Sequence, residues 1–323
     1  MHYSVSYKTK QFFFVLIKLS IVIGAFYFIY SKLAENQNLD FSVFVQFLAE
    51  NDQFSVKNII FLIILSIFNW FFEIAKWQEL VKTIKKISFK NALEQSLGGL
   101  TASLITPNRI GDYGAKAIYY PPNQRKRIVL LNLIGNMSQM GVTTIIGLTG
   151  LIIFVNHYEI EVDYYRVARF VFILVIIAII ITLGWYQERV KIKGYSIKKL
   201  FEVIKKVKQQ TIIISTLYAL IRYLIFSFQF YFLLTLFGVS VDYMYAMMVI
   251  SSMYFLASIV PSITIFDVVI KGSVAVFLFG YVDVNELTIL SIIMIMWILN
   301  FAIPSIFGSY YVLNFNLPKN DTT

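Results

Sequence analysis

The stretch ASLITPNRIGDYGAKA, residues 102–117, places a proline and two oppositely charged residues inside a hydrophobic region. Pro107 lacks a backbone N–H and cannot continue a helix through its middle. Asp112 and Lys116 follow at an i, i+4 spacing, which puts them on one face of a helix where they can pair. The stretch therefore predicts a broken helical hairpin rather than a continuous helix.

A second stretch, ASIVPSITIFDVVIK at residues 257–271, repeats this arrangement. Pro261 lies 154 residues after the first proline, and Asp267 and Lys271 each lie 155 residues after the first aspartate and lysine. The nearly constant offset indicates an internal repeat. The alternative is that a short motif recurs by accident in a chain of biased composition.

The composition is that of a membrane protein. The 323 residues are 58% hydrophobic and only 14% charged, which is too little charge to cover a soluble domain. Apolar runs reach the ~20 residues needed to cross a hydrocarbon core of roughly 30 Å. We expect an all-α polytopic protein with one membrane domain (1–323) of eight hydrophobic segments. These are about six full spans (11–31, 56–80, 128–155, 167–186, 211–237 and 286–313) and two re-entrant hairpins (91–120 and 246–280).

The charges of the loops predict an orientation. Basic residues concentrate before the first span, after 56–80 and in the loop 187–210, and the positive-inside rule places these segments in the cytoplasm. Both termini are then cytoplasmic, the first hairpin enters from the cytoplasm and the second enters from outside. The halves 56–155 and 211–313 would thus form an inverted repeat of span, hairpin and span, an arrangement typical of transporters. A lysine-rich chain of this kind suits a bacterial cytoplasmic membrane.

The same features argue against several classes of function. The net charge of +10 lies in short segments between apolar runs, so it favours contact with anionic lipid headgroups over nucleic-acid binding. The absence of cysteine excludes thiolate metal sites and iron–sulfur clusters, and no metal or other cofactor is expected. We find no nucleotide-binding or hydrolase motif, so the chain is not expected to be an enzyme.

Ionisable residues within apolar segments are costly and mark candidate sites. Arg109 is the strongest phosphate ligand because its planar guanidinium makes bidentate contacts, although it could instead extend to the membrane interface. The aspartate–lysine pairs could hold a headgroup or merely neutralise themselves. Glu73 is a candidate proton-exchanging group. Lys76 and Trp77 are expected to anchor their helix at the membrane interface. The predicted substrate-binding residues are Pro107, Asn108, Arg109, Asp112, Lys116, Arg222, Pro261, Asp267 and Lys271.

The sequence resembles a known family over about residues 11–313. Lys76-Trp77-x-x-Leu80 and the stretch 103–117 are similar to motifs of the flippase-like membrane domain of lysylphosphatidylglycerol synthases, in its stand-alone form. That family has Pro-Gly-Arg-Leu-Gly-Glu, then a basic residue and Ala, where this chain has Asn108 in place of glycine and Asp112 in place of glutamate. The resemblance implies translocation of a lipid or lipid-linked anion, without the aminoacyl-transferase activity of the full-length synthases.

Three functions remain open on the sequence. The favoured one is flipping of an anionic phospholipid or polyprenyl phosphate across the cytoplasmic membrane. The second is a non-transporting subunit that anchors a membrane-associated glycosyltransferase or aminoacyl-lipid synthase, with the loop 187–210 as its docking surface. The third is an intramembrane enzyme acting on lipid phosphate through Arg109 and Asp112, for which the chain offers no clustered nucleophile set.

Overall fold

The computed structural model describes most of the hydrophobic chain. The described residues are 16–24, 26–27, 30, 46, 55–104, 106, 109–161, 163, 165, 169, 172, 176, 191–192, 195–196, 207–259 and 267–316. Residues 16–24 are helical and belong to the first predicted span. Most of the predicted span 167–186, and the remaining residues of 11–31, fall outside the described residues.

The first half of the fold contains four helices, α1 (Val56–Val81), α2 (Phe89–Leu104), α3 (Ile110–Ile118) and α4 (Pro122–His157). Ser55 caps α1, because its hydroxyl accepts a hydrogen bond from the free backbone N–H of Asn58. The proline at the start of α4 occupies a position where its missing N–H costs nothing.

The second half has the same order of long and short helices. It comprises α5 (Gln209–Leu236), α6 (Tyr243–Ile259), α7 (Asp267–Gly280), α8 (Glu286–Trp297), a π-helix (Ile298–Ala302) and α9 (Ile303–Asn314). Between the halves, two short strands pair antiparallel, β1 (Lys191–Ile192) and β2 (Tyr195–Ser196). The described fold is helical apart from this strand pair, which lies in the basic loop predicted at 187–210.

Within the described residues, four helical segments are long and apolar enough to cross a membrane. They are Val56–Val81, Pro122–His157, Gln209–Leu236 and the continuous segment Glu286–Asn314, and they coincide with four of the six predicted spans. Two shorter apolar helices, Tyr243–Ile259 and Lys271–Gly280, lie in the second broken region. The total of six spans and the re-entrant placement of the hairpins stay predictions.

The first broken region folds as a tight antiparallel hairpin of α2 and α3. A Cβ atom at Gly111 would collide with the backbone carbonyl of Ala102, and one at Gly99 would collide with the carboxylate of Asp112. Glycine is therefore needed where the two helices approach most closely. Helices α6 and α7 also pack against each other, so both broken regions are pairs of short helices in contact.

Packing contacts in one half have counterparts in the other. Helices α1 and α5 pack together at the centre, α2 packs against α9, and α6 packs against α4. Within the halves, α3 contacts α4 just as α7 contacts α8. An internal repeat would produce such a pattern, and the repeat with halves 56–155 and 211–313 stays a prediction.

The fold is apolar outside and partly polar inside. One side of α1 exposes large hydrophobic side chains such as Ile60 and Ile67, which suit contact with lipid. Its other side buries Asn69, Lys76 and Trp77 against neighbouring helices. The lysines Lys76 and Lys116 are thus held in the protein interior, where each needs a partner.

The close approach of α2 and α3 generates a stability prediction. The substitution Gly111→Ala should destabilise the protein by about 1–3 kcal/mol, because the added methyl meets backbone rather than a flexible side chain. Gly114→Ala in the same helix is the matched control, since nothing lies within 4 Å of its Cβ position. Thermal unfolding of both purified variants in detergent makes the comparison. Equal stability of the two variants would contradict the packing described here.

Candidate functional site

One face of α1 carries the polar residues that organise the interior. Asn69, Glu73, Lys76 and Trp77 recur at helical spacing and point away from the lipid-facing stripe. Lys76 is only 2% exposed and Trp77 only 1% exposed. The prediction that these two residues anchor the helix at the membrane interface is therefore wrong, because both lie inside the protein.

Glu73 is shared by two cations. Lys76 Nζ lies 2.7 Å from Glu73 Oε2 on the same helix, and Arg222 from α5 donates to the same oxygen. Arg222 also donates from Nε to the Asn69 side chain at 3.1 Å and from Nη1 to Gln139 Oε1 of α4 at 3.2 Å. These three charged groups are called here the Glu73 triad (Glu73, Lys76 and Arg222). Together with the hydrogen bond from Arg222 to Gln139, they join α1, α4 and α5.

A second charged cluster joins the α2–α3 hairpin to α4 through side-chain hydrogen bonds. Lys116 Nζ lies 3.0 Å from Asp112 Oδ2 and 2.9 Å from Asn132 Oδ1. The Asn132 amide in turn donates to Asp112 Oδ2 at 2.7 Å, which closes a ring of three side chains. The lysine ammonium also lies 4.7 Å from the ring centre of Trp77, a cation–π contact. The pairing expected from the i, i+4 spacing of Asp112 and Lys116 is confirmed.

Gln95 connects the same helices through neutral groups. Its Oε1 accepts hydrogen bonds from Trp77 Nε1 at 2.8 Å and from the Tyr120 hydroxyl at 2.9 Å. Tyr120 lies between α3 and α4, outside the four long apolar segments. Burial raises the pKa of its phenol to about 12. The phenol therefore remains a donor at neutral pH.

The π-helix has an identifiable cause and consequence. Pro304 lies four residues after Asn300, so it cannot donate the helical hydrogen bond that the Asn300 carbonyl would otherwise receive. Trp70 Nε1 of α1 donates to that carbonyl at 3.1 Å instead. The Asn300 side chain accepts from Asn69 at 2.9 Å and donates to Gln229 at 2.9 Å. An irregular helix near the end of the chain is thereby tied to α1 and α5.

Two cations from the two broken regions meet at one aromatic ring. Arg109 Cζ lies 4.6 Å from the ring centre of Phe301, and Lys271 Nζ lies 5.9 Å from it. Arg109 is exposed and adopts a left-handed backbone conformation with φ of 55°, which a non-glycine residue rarely adopts. Phe301 belongs to the π-helix. Strained backbone and π-helices both concentrate at functional sites.

The structure divides the predicted substrate-binding residues into groups. Arg109 and Lys271 meet at Phe301, Asp112 and Lys116 bind each other, and Arg222 binds Glu73. Pro107, Asn108 and Pro261 lie outside the described residues, and Asp267 is the first residue of α7.

Several partners were not predicted from the sequence. Phe301, Asn69 and Asn300 were missed, because a lone aromatic or amide in an apolar helix carries no distinctive pattern. Pro304, placed four residues after Asn300, was the available signal for the irregular helix. Within the described part of the chain, no three carboxylate or imidazole groups come together in a way that could hold a metal ion.

These features define a multi-pass membrane protein with an apolar exterior and a charge-paired interior. The family model described as the lysylphosphatidylglycerol synthase TM region matches residues 15–308. The chain therefore belongs to that family, as the sequence motifs indicated. A search of curated proteins finds no match.

The closed ring of Asp112, Lys116 and Asn132 generates a second prediction. Removing one charge, by Lys116→Met or Asp112→Asn, should cost about 3–5 kcal/mol, because the remaining charge loses its partner inside the protein. The double variant should cost clearly less than the sum of the two single variants. Denaturant unfolding of the purified proteins in micelles measures this coupling. Additive losses would show that the two groups do not depend on each other.

Proposed function

We propose that the protein moves an anionic lipid, or a lipid-linked anion, between the two leaflets of the cytoplasmic membrane. The observation that carries the proposal is the meeting of Arg109 and Lys271 at Phe301. Each broken region contributes one cation, and the π-helix contributes the ring that both cations approach. A headgroup phosphate held there would contact both halves of the protein.

The chemistry of Arg109 suits the first contact with a phosphate. The guanidinium is exposed and can make two parallel hydrogen bonds to phosphate oxygens. Its contact with Phe301 orients it without using those donors, since a cation–π contact occupies the flat face of the group. A polar path of this kind lowers the cost of bringing a charged headgroup into the hydrocarbon region.

The remaining charged residues support the site instead of lining it. Asp112 and Lys116 satisfy each other and Asn132, and Arg222 is held by Glu73. We therefore assign headgroup contact to Arg109 and Lys271, with Pro107, Asn108, Pro261 and Asp267 as the flanking residues of the two breaks.

The arrangement of the two halves supports a mechanism of alternating access. Helix α2 of the first broken region packs against α9, and α6 of the second packs against α4. Each hairpin thus packs against the last helix of the opposite half. Rocking of the hairpins about the central pair α1 and α5 would open the Phe301 site to one leaflet and then to the other, as in inverted-repeat transporters.

Flipping rates of variants test the assignment of Arg109. In proteoliposomes carrying a fluorescent phosphatidylglycerol, Arg109→Ala should slow flipping at least about tenfold, because a charge-assisted contact worth about 1.5–3 kcal/mol is lost. Arg127→Ala is the matched control, since Arg127 is an exposed arginine at the start of α4, away from Phe301. It should change the rate less than about fivefold, as expected of an exposed charge worth at most about 1 kcal/mol.

Folding of each variant is checked by its elution profile and helical circular dichroism. If a folded Arg109→Ala protein flips lipid at the wild-type rate, Arg109 is not part of the headgroup site. Equal loss in both arginine variants would point to a general effect of surface charge on the anionic membrane.

A further inference from the structure

We propose that Lys76 is a proton-binding site whose occupancy is linked to binding of the anionic headgroup. The geometric basis is the Glu73 triad, in which Lys76 Nζ and the Arg222 guanidinium share one carboxylate oxygen. Lys76 is 2% exposed, so water cannot compensate its charge. The proton site at Lys76 does not depend on the function proposed above. Its linkage to headgroup binding rests on that function.

The charges of the triad do not cancel. Two cations and one carboxylate leave one positive charge in excess. Arginine does not give up its proton in proteins, and a proton added to Glu73 would raise the excess to two. Release of the proton from Lys76 is therefore the one change of protonation within the triad that makes it neutral.

The neighbouring helices do not supply the missing negative charge in the described part of the chain. From α3, Asp112 and Lys116 approach as a pair whose own charges cancel. Helix α4 places Gly135 beside the Lys76 side chain, and its polar groups near the triad, Asn132 and Gln139, are uncharged. Helix α2 contributes the neutral amide of Gln95 beside Trp77.

Lys116 provides a matched comparison within the same protein. It is 3% exposed and lies 3.0 Å from a carboxylate, much as Lys76 does. Its carboxylate is not shared with a second cation in the described structure, and Asn132 Oδ1 accepts another of its hydrogen bonds. The pair of Lys116 and Asp112 is therefore neutral, whereas the Glu73 triad carries one excess positive charge.

An anion can relieve the same excess charge. Asn300, the neighbour of Phe301 in the π-helix, hydrogen-bonds to Asn69, and Asn69 accepts from Arg222, so the π-helix that carries Phe301 is connected to the triad. A headgroup anion at Phe301 favours the protonated form of Lys76, and by reciprocity the protonated form favours the anion. Anion affinity is then full at low pH and falls by at most about tenfold per pH unit as free Lys76 loses its proton.

The first experiment tests the proton site without any ligand. The full chain, labelled with ¹⁵N at the lysine Nζ atoms, is titrated in nanodiscs of neutral phosphatidylcholine and followed by NMR. The Lys76 signal is assigned with Lys76→Arg, or with Lys76→Met where the arginine variant does not fold. We expect this signal to change to that of the neutral amine at a lower pH in the wild type than in Arg222→Gln, because that variant removes the excess positive charge. Arg222→Met replaces it where the glutamine variant does not fold. An equal or lower transition pH in the Arg222 variant overturns the proton site.

The second experiment tests the linkage. Addition of dihexanoylphosphatidylglycerol, a short-chain lipid with one negative charge, should shift the Lys76 transition to higher pH in the wild type and in Arg127→Ala. The shift should be lost in Arg109→Ala. An unmoved wild-type transition overturns the linkage, and an equal shift in Arg109→Ala overturns the route through the Phe301 site. Failure of the wild type to flip lipid would refute the proposed function while leaving the Lys76 transition as a separate result.

Discussion

The carboxylate of Glu73, held between Lys76 and Arg222, is the interaction on which the rest of the structure depends. It lies in the interior of an apolar helix, where an unpaired charge would be prohibitively costly. By binding Arg222 it joins α1 to α5, the two long helices at the centre of the fold. Asn69, on the next turn of α1, accepts from the same guanidinium and extends the connection to the π-helix. The central helices are thus fixed by polar contacts, whereas dispersion and lipid contacts act on their outer faces.

The two broken regions place different charged groups against the rest of the fold. In the first, Asp112 and Lys116 bind Asn132 of α4, and the glycines bring α2 and α3 into close contact. In the second, Lys271 approaches the face of Phe301 in the π-helix. Each hairpin is thus joined to another helical element by a lysine.

Much of this fold could be predicted from the sequence because it follows from strong physical constraints. Apolar runs define the four long segments, and prolines define the breaks. The pairing of Asp112 with Lys116 follows from helical spacing alone. The interior position of Lys76 could not be predicted in this way, since a lysine beside a tryptophan near the end of a span is also the pattern of an interfacial anchor. The role of Phe301 depends on which distant segment packs against it, information that a local pattern does not contain.

The proposed function requires that an anionic lipid crosses the membrane through this protein. It is tested by the fraction of fluorescent lipid that an external reductant can reach over time in proteoliposomes, compared with protein-free liposomes. We expect the wild-type protein to bring inner-leaflet phosphatidylglycerol to the outer leaflet faster than it moves a phosphatidylcholine carrying the same label. Equal rates for the two lipids, or no acceleration over protein-free liposomes with folded protein present, would contradict it.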